Sequence, residues 1–262
     1  MGLSESNLGA AQAGDEEAVA SLPKPPTCLP RPALFLDMDG VLAPLAPTPD
    51  AVIPNARRTA VLKAVEDRFG GRMAILSGRT LTEIDRIADG VFSASGVHGL
   101  ERRRADGAVL TATPDAAVRD VVDAFDAFAS TRPGMIVEDK AVAAGLHFRG
   151  APDHAHDAGA LAQRLARSTG LTLQPGNLVV ELKTPGADKG TALTGFMKEP
   201  PFEGAVPVML GDDLTDEDGF RAAEALGGFG VLVGPPRETA ARYRLADVDA
   251  VLDWLDHVEE SP

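Results

Sequence analysis

Two aspartates one residue apart, Asp37 and Asp39, close the short apolar run Leu34-Phe35-Leu36, and Gly40 follows at once. A continuous apolar run of this length reads as a strand buried on both faces of an α/β sheet. The carboxyl end of such a strand is where open α/β sheets bind ligands. Two acids placed there repel each other and resist desolvation, so a compensating cation or a catalytic task has to explain them. One carboxyl can attack as a nucleophile while the other serves as general acid and base. The ordinary alternative is a capped strand-to-helix turn, where Asp is common.

Three further clusters follow. Leu76-Ser77-Gly78-Arg79-Thr80 ends a second apolar run, and the Ser77 hydroxyl with nearby N–H groups suits phosphate oxygens at a helix N-terminus. A serine in that place is equally an ordinary helix cap. Lys189, in Gly186-Ala187-Asp188-Lys189-Gly190-Thr191-Ala192, opens a helix, where the dipole disfavours a cation. A phosphate shared with the helix end would compensate it; a solvated lysine is the plain alternative. Leu210-Gly211-Asp212-Asp213-Leu214-Thr215-Asp216-Glu217-Asp218 puts five acids within seven residues. A helix start explains Asp216, Glu217 and Asp218. It does not explain Asp212 and Asp213, which suit a hard, oxygen-seeking cation such as Mg²⁺. Jointly the four clusters supply the nucleophile, acid/base, metal carboxylates and phosphate ligands of phosphoryl transfer, in which positioning and charge neutralisation dominate.

Elements of a doubly wound parallel α/β sheet must carry these residues. Strands are predicted at 33–36, 73–76, 206–210 and 230–233. Val61, Leu62, Val65 and Phe69 form one helical face, and Leu81, Ile84, Ile87 and Ala88 another. The middle of the chain differs. It has a hairpin signal at 104–108 and a helix through Val118, Val121, Val122, Phe125 and Phe128. A second helix runs through Leu161 and Leu165, and strands are predicted at 135–140, 145–149, 171–173 and 178–183. This pattern is an α+β insertion. The expected division is an acidic, disordered tail over 1–31, a core over 32–103 and 186–262, and an inserted module over 104–185. Hinges are expected near 99–104 and 184–186.

The 262 residues are 44% hydrophobic, enough for a sizeable core, and carry a net charge of −14. That charge argues against nucleic acid and against an anionic membrane surface. It also means that a phosphate site needs its own cation and local lysines or arginines. The single cysteine, Cys28, allows no intrachain disulfide and fits a reducing compartment. There is no membrane-length apolar run and no signal-peptide pattern, so a cytoplasmic monomer is the expectation. Met1-Gly2-Leu3-Ser4-Glu5-Ser6 fits a minimal myristoylation pattern, but Glu16 and Glu17 follow it rather than a polybasic patch.

The four clusters, in this order, resemble the motifs of the haloacid-dehalogenase-like (HAD) phosphatases. Further stretches are similar to the trehalose-6-phosphate phosphatases of that superfamily: Gly96-Val97-His98-Gly99-Leu100-Glu101, Val137-Glu138-Asp139-Lys140, His147-Phe148-Arg149 and Val180-Glu181-Leu182-Lys183 with Lys189-Gly190. The resemblance spans about residues 32 to 256. Val41 departs from it, since the superfamily usually has Thr there; the acids are untouched. The resemblance implies a Rossmann-like HAD core with an inserted type-2 cap. It also implies hydrolysis of trehalose 6-phosphate through an aspartyl-phosphate on Asp37, with Asp39 as acid and base. Ser77, Gly78 and Lys189 would hold phosphate. Mg²⁺ would sit on the carboxylates of Asp37 and Asp212 and the backbone carbonyl of Asp39, with Asp213 in support.

Glu138 and Lys140, and Glu181 and Lys183, each form a Glu-x-Lys pair on a predicted strand, where residues two apart share a face. A carboxylate acceptor beside an ammonium donor suits sugar hydroxyls, which both donate and accept. A solvated strand face with weak ion pairs is the alternative. With the resemblance, these four residues are expected to contact the sugar, joined by His98 and Arg149. Two other readings stay open. One is the same chemistry on sucrose phosphate, mannosyl-phosphoglycerate or a hexose phosphate; the other is a sugar-phosphate sensor without turnover.

Overall fold

Parallel strands buried on both faces organise the larger layer. The computed structural model describes residues 22–46, 48–176 and 178–261. The strands are β1 (Cys28–Leu29), β2 (Pro32–Leu36), β3 (Met73–Leu76), β4 (Ser93–Gly96), β5 (Glu101–Arg103), β6 (Val109–Thr111) and β7 (Ile136–Asp139). They continue with β8 (Ala143–His147), β9 (Thr172–Gly176), β10 (Val179–Lys183), β11 (Val206–Gly211), β12 (Phe229–Val233), β13 (Tyr243–Leu245) and β14 (Glu259–Glu260). The helices are α1 (Ala56–Arg68), α2 (Leu81–Ala88), α3 (Ala117–Ala129), α4 (Ala155–Thr169), α5 (Lys189–Phe196), α6 (Glu217–Ala225) and α7 (Val248–His257).

The larger sheet has eight strands in the order β13-β12-β11-β2-β3-β4-β5-β6. It is parallel from β13 to β4 and antiparallel beyond. Alternate residues of each strand face opposite layers. Leu34, Leu36, Ile75, Val208 and Val231 pack on Val61, Val65, Ile84, Ile87 and Leu255 of α1, α2 and α7. Phe35, Leu76, Met209 and Leu232 pack on Leu193, Phe196 and Phe220 of α5 and α6. Both faces are covered, which is why these strands read as unbroken apolar runs. The loops that follow β2, β3 and β11 leave the sheet at one edge, and with them the predicted acids and the Ser77 loop.

The smaller sheet has the order β7-β8-β10-β9, antiparallel throughout. Val121, Phe125, Leu161 and Ala162 of α3 and α4 cover one face against Ala144, Leu146, Val180 and Leu182. The other face carries Glu138, Gly145, His147 and Glu181, since Glu138 and Glu181 both pair with Gly145.

Three expectations change. The hairpin at 104–108 forms, with Arg104 N–H donating to Ala108 O over 2.9 Å, but it joins β5 to β6 and extends the larger sheet. The passage between layers therefore begins after β6, not at 104, and the stretch expected as the first hinge, 99–104, carries strand β5. The chain crosses outward near 112–116 and returns near 184–187. At this root Asp115 N–H donates to Thr184 Oγ1 (3.1 Å), whose hydroxyl donates to Val142 O (2.9 Å). The tail boundary at 31 also moves. β1 pairs with β14, Leu29 is buried in the core, and Trp254 Nε1–H donates to Pro26 O over 3.1 Å. A proline-rich segment cannot donate where proline stands, but its carbonyls still accept. The tail expectation for 1–21, with the acylation pattern, lies outside the described residues. No helix among those residues is long and apolar enough to cross a membrane.

Candidate active site

At the end of β2, Asp37 is buried and its N–H donates to Leu210 O of β11 over 3.0 Å. That bond sets the two acidic loops side by side. They approach so closely that a Cβ on Gly40 would stand 2.1 Å from Asp212 Oδ2, and Gly40 has φ +78°. Only glycine meets both demands. Lys189, the first residue of α5 behind the cap Asp188, lies 3.0 Å from Asp37 Oδ1 and 2.5 Å from Asp216 Oδ1. Asp216 is fully buried, and its Oδ2 accepts from the N–H groups of Asp212 and Asp213 at 2.9 and 3.1 Å. Burial holds the Asp37 carboxyl well above the ordinary range against the pull of Lys189, and Asp216, Asp212 and Asp213 add to the rise. Burial, Asp216 and Asp213 push Asp212 up to about 7. Asp213 goes the other way: burial opposes its charge, but Lys189 and the hydroxyl and amide of Thr215 outweigh it.

The loop after β3 turns on three contacts. Thr80, not Ser77, caps α2, in a reciprocal box with Glu83. The ordinary capping role considered for Ser77 is thus filled by another residue. Ser77 is buried, its Oγ accepting from Arg79 N–H over 3.2 Å. Arg79 grips both oxygens of Asp39, Nε to Oδ2 at 2.6 Å and Nη2 to Oδ1 at 2.8 Å, a bidentate charge-assisted pair. A Cβ on Gly78 would meet His98 Nε2 at 2.5 Å, so the glycine admits the imidazole. Val97 and His98 both adopt positive φ, +45° and +51°. Non-glycine residues persist there only when their surroundings hold them; Val97 N–H donates to Arg79 O and His98 N–H to Ser77 O.

The polar face of the smaller sheet closes the cavity. Lys140 Nζ donates to Glu181 Oε2 at 2.6 Å and, across the gap between layers, to Gly78 O at 2.9 Å. Burial opposes its charge, but Glu181 and Glu138 raise it above the ordinary lysine value. His147 Nε2 lies 2.9 Å from Glu138 Oε2. His98 Nε2 stands 3.8 Å from Glu181 Oε1, and that oxygen and His98 Nδ1 are buried with no hydrogen-bond partner among the described residues. Burial takes His98 down to about 3, so it is neutral near pH 7.

One cavity of about 330 Å³ is lined by every predicted site residue except Lys183. Asp37, Asp39, Ser77, Gly78, Lys189, Asp212 and Asp213 form its floor; His98, Glu138, Lys140, Arg149 and Glu181 contribute to its walls. Lys183 shares the Glu181 face, as expected, but its strand is ending there. Its buried ammonium donates instead to Ala187 O over 2.8 Å, tying down the returning crossing.

Residues 35–249 match the family model described as trehalose-phosphatase. The chain belongs to the trehalose-phosphatase family. It is 40% identical over 229 residues to a trehalose-6-phosphate phosphatase of Escherichia coli (strain K12), covering 86% of each chain. A solved structure of a trehalose-6-phosphate phosphatase related protein superposes with TM-score 0.71 at 26% identity, over 85% of this chain and 95% of that one. A phosphatase of the HAD superfamily from Bacteroides thetaiotaomicron shares the fold at TM-score 0.57 and 18% identity, over 86% and 93%. Trehalose-phosphatases are phosphoric monoester hydrolases, and this chain is one of that class of enzymes by family.

Within this trehalose-phosphatase framework three residues stand out beyond the predicted site. A helix start accounts for Asp216 in the sequence, but in the fold it is the buried partner of Lys189. Its signal was a third acid four residues after Asp212. Arg79 lies in the Leu76–Thr80 cluster, yet nothing local links it to Asp39. His147 lies in the His147-Phe148-Arg149 stretch, and only the pairing of β7 with β8 brings it to Glu138.

Proposed function

We propose that this chain hydrolyses trehalose 6-phosphate to trehalose and inorganic phosphate with the aid of Mg²⁺. One observation carries the reading. The Asp37–Lys189–Asp216 cluster and the Arg79-held Asp39 lie beneath the polar face of the smaller sheet, where Glu181 Oε1, like Nδ1 of His98 in the loop after β4, has no hydrogen-bond partner among the described residues. Sugar hydroxyls, which donate and accept, suit such atoms. The module from about 112 to 184 would then be the type-2 cap that selects the sugar, and the remainder the HAD core.

The residues fit a hard divalent cation. Oxygens of Asp37, Asp212 and Asp216 lie within 4.8 Å of one another. Burial raises the affinity of all three for protons, neighbouring carboxylates add to the rise, and Lys189 offsets only part of it. Asp216 already serves Lys189 and two backbone amides, which leaves Asp37 and Asp212 as the carboxylate ligands, supported by Asp213. The cation, when bound, would neutralise phosphate charge and favour attack by an anionic oxygen.

Asp37 attacks phosphorus, a phosphorus–oxygen bond to Asp37 forms and the bond to the sugar oxygen breaks. Asp39 delivers the proton that makes that oxygen a hydroxyl. Asp39 then takes a proton from water as it attacks phosphorus, the bond to Asp37 breaks and phosphate leaves. Arg79 holds both Asp39 oxygens and so fixes the orientation of that carboxyl. Lys189 and the Ser77 loop hold the phosphate oxygens throughout.

Phosphate release from trehalose 6-phosphate, sucrose phosphate, mannosyl-phosphoglycerate and glucose 6-phosphate at fixed Mg²⁺ tests the reading. Preference for trehalose 6-phosphate is expected. A higher kcat/KM on another member overturns the sugar assignment. Tight binding without phosphate release points to a sensor instead.

A further inference from the structure

We propose that Arg237, outside the cavity, tunes the Mg²⁺ affinity of the site by fixing the peptide groups of Asp212 and Asp213. Arg237 follows β12 and reaches back to the loop after β11. Its Nε donates to Asp212 O (3.3 Å) and its Nη2 to Asp213 O (2.7 Å). Nη1 donates to Glu217 Oε1 and to Glu238 O. Glu217 is itself buried and anchored, accepting from Thr239 Oγ1 and Ala240 N–H at 2.8 Å each.

The acidic loop is thus held from both sides. Its carbonyls point to Arg237, and its N–H groups point to Asp216 Oδ2. With both peptide groups fixed, the Asp212 side chain leaves the backbone in one direction, toward Asp37. Partners behind a metal ligand commonly change affinity by about 10-fold to 100-fold when removed. The guanidinium also puts a positive charge near a site that gathers a cation, so field and geometry predict opposite signs. Loss of the charge alone tightens Mg²⁺ binding; loss of the fork weakens it.

The inference rests on the Mg²⁺ reading of the site. The test measures Mg²⁺ binding to the full chain by calorimetry, with Mn²⁺ paramagnetic resonance as the spectroscopic signature. Arg237→Ala is expected to weaken Mg²⁺ binding about tenfold and broaden the Mn²⁺ spectrum. Its kcat should recover at saturating Mg²⁺ with KM for the sugar phosphate unchanged. Arg237→Lys keeps the charge but not the two-pronged donor, and is expected to weaken binding as well; it carries the test if the alanine variant does not fold. Affinity equal to or tighter than the parent's, in the folded variant used, overturns the inference. So does equal weakening in Arg57→Gln, at an exposed ion pair far along the chain. A parent chain that binds no Mg²⁺ overturns the metal reading, and this inference with it; a parent that binds while both variants match it overturns the inference alone.

Discussion

The Lys140 ammonium of the smaller sheet donates to the Gly78 carbonyl of the loop after β3, 2.9 Å away, and so joins the polar face of the smaller layer to the larger one. The same ammonium neutralises Glu181, which is buried beside it. Lys140→Ala removes the tie and strands a buried carboxylate, at a cost of roughly 3 kcal/mol in stability. KM for trehalose 6-phosphate is expected to rise at least about tenfold, while activity on a small aryl phosphate changes less. Steady-state kinetics on both substrates check this. Equal losses on the two would sink the sugar-side role.

Asp37→Asn is expected to abolish phosphate release and yet stabilise the metal-free protein. The folded carboxyl has a raised pKa, so between its unfolded and folded values the native state binds the extra proton and stability falls as pH rises. Asparagine removes that penalty. Urea denaturation at pH 7 without Mg²⁺ should show a higher midpoint than the parent, and added Mg²⁺ should stabilise only the parent. A lower midpoint would contradict the assignment of Asp37 as a buried, undercompensated acid.

His98 supplies a pH dependence of the opposite kind. Its folded pKa of about 3 lies below the unfolded value. The unfolded chain therefore takes up the proton first, and stability falls as pH drops through 6.5 toward 3. The slope from this group approaches about 1.4 kcal/mol per pH unit. His98→Asn, whose side chain tolerates positive φ, should flatten the difference between pH 7 and pH 5. Parallel denaturation curves for parent and variant at both pH values would refute it.

Arg79→Lys replaces a two-pronged grip on Asp39 with a point contact. The expected outcome is a fall in kcat of about 10-fold to 100-fold, with little change in KM and no loss of Mg²⁺ affinity. Steady-state kinetics at fixed pH and Mg²⁺, with calorimetry of Mg²⁺ binding, check it. A variant that loses only KM would assign Arg79 to substrate binding instead.

How far the site could be read from the chain follows from what each residue depends on. Asp37, Asp39 and Asp212 were legible because parallel strands deliver their last residues to one edge, a local signal with a global consequence. Strand β4 was not. Ser93, Ala94, Ser95 and Gly96 are all buried, but their small size answers close chain passage, since a Cβ on Gly96 would meet Arg79 O at 2.7 Å. Hydropathy does not register that demand. Asp216 and Lys189 became partners only through helix placement, and the β5–β6 hairpin looked like the start of the insertion because pairing partners are not written into a turn. Lys183 shows the limit of strand periodicity: the face was right, but the strand end redirected the group.

The root of the smaller layer has one further consequence. Asp115 and Thr184, the outgoing and returning chain, stand within a single hydrogen bond of each other. The larger sheet therefore closes the same short gap whether many residues or few lie between them, and loop entropy grows only slowly with their number. Changes in the length of the smaller layer are therefore met at this root with little added cost of closing the chain.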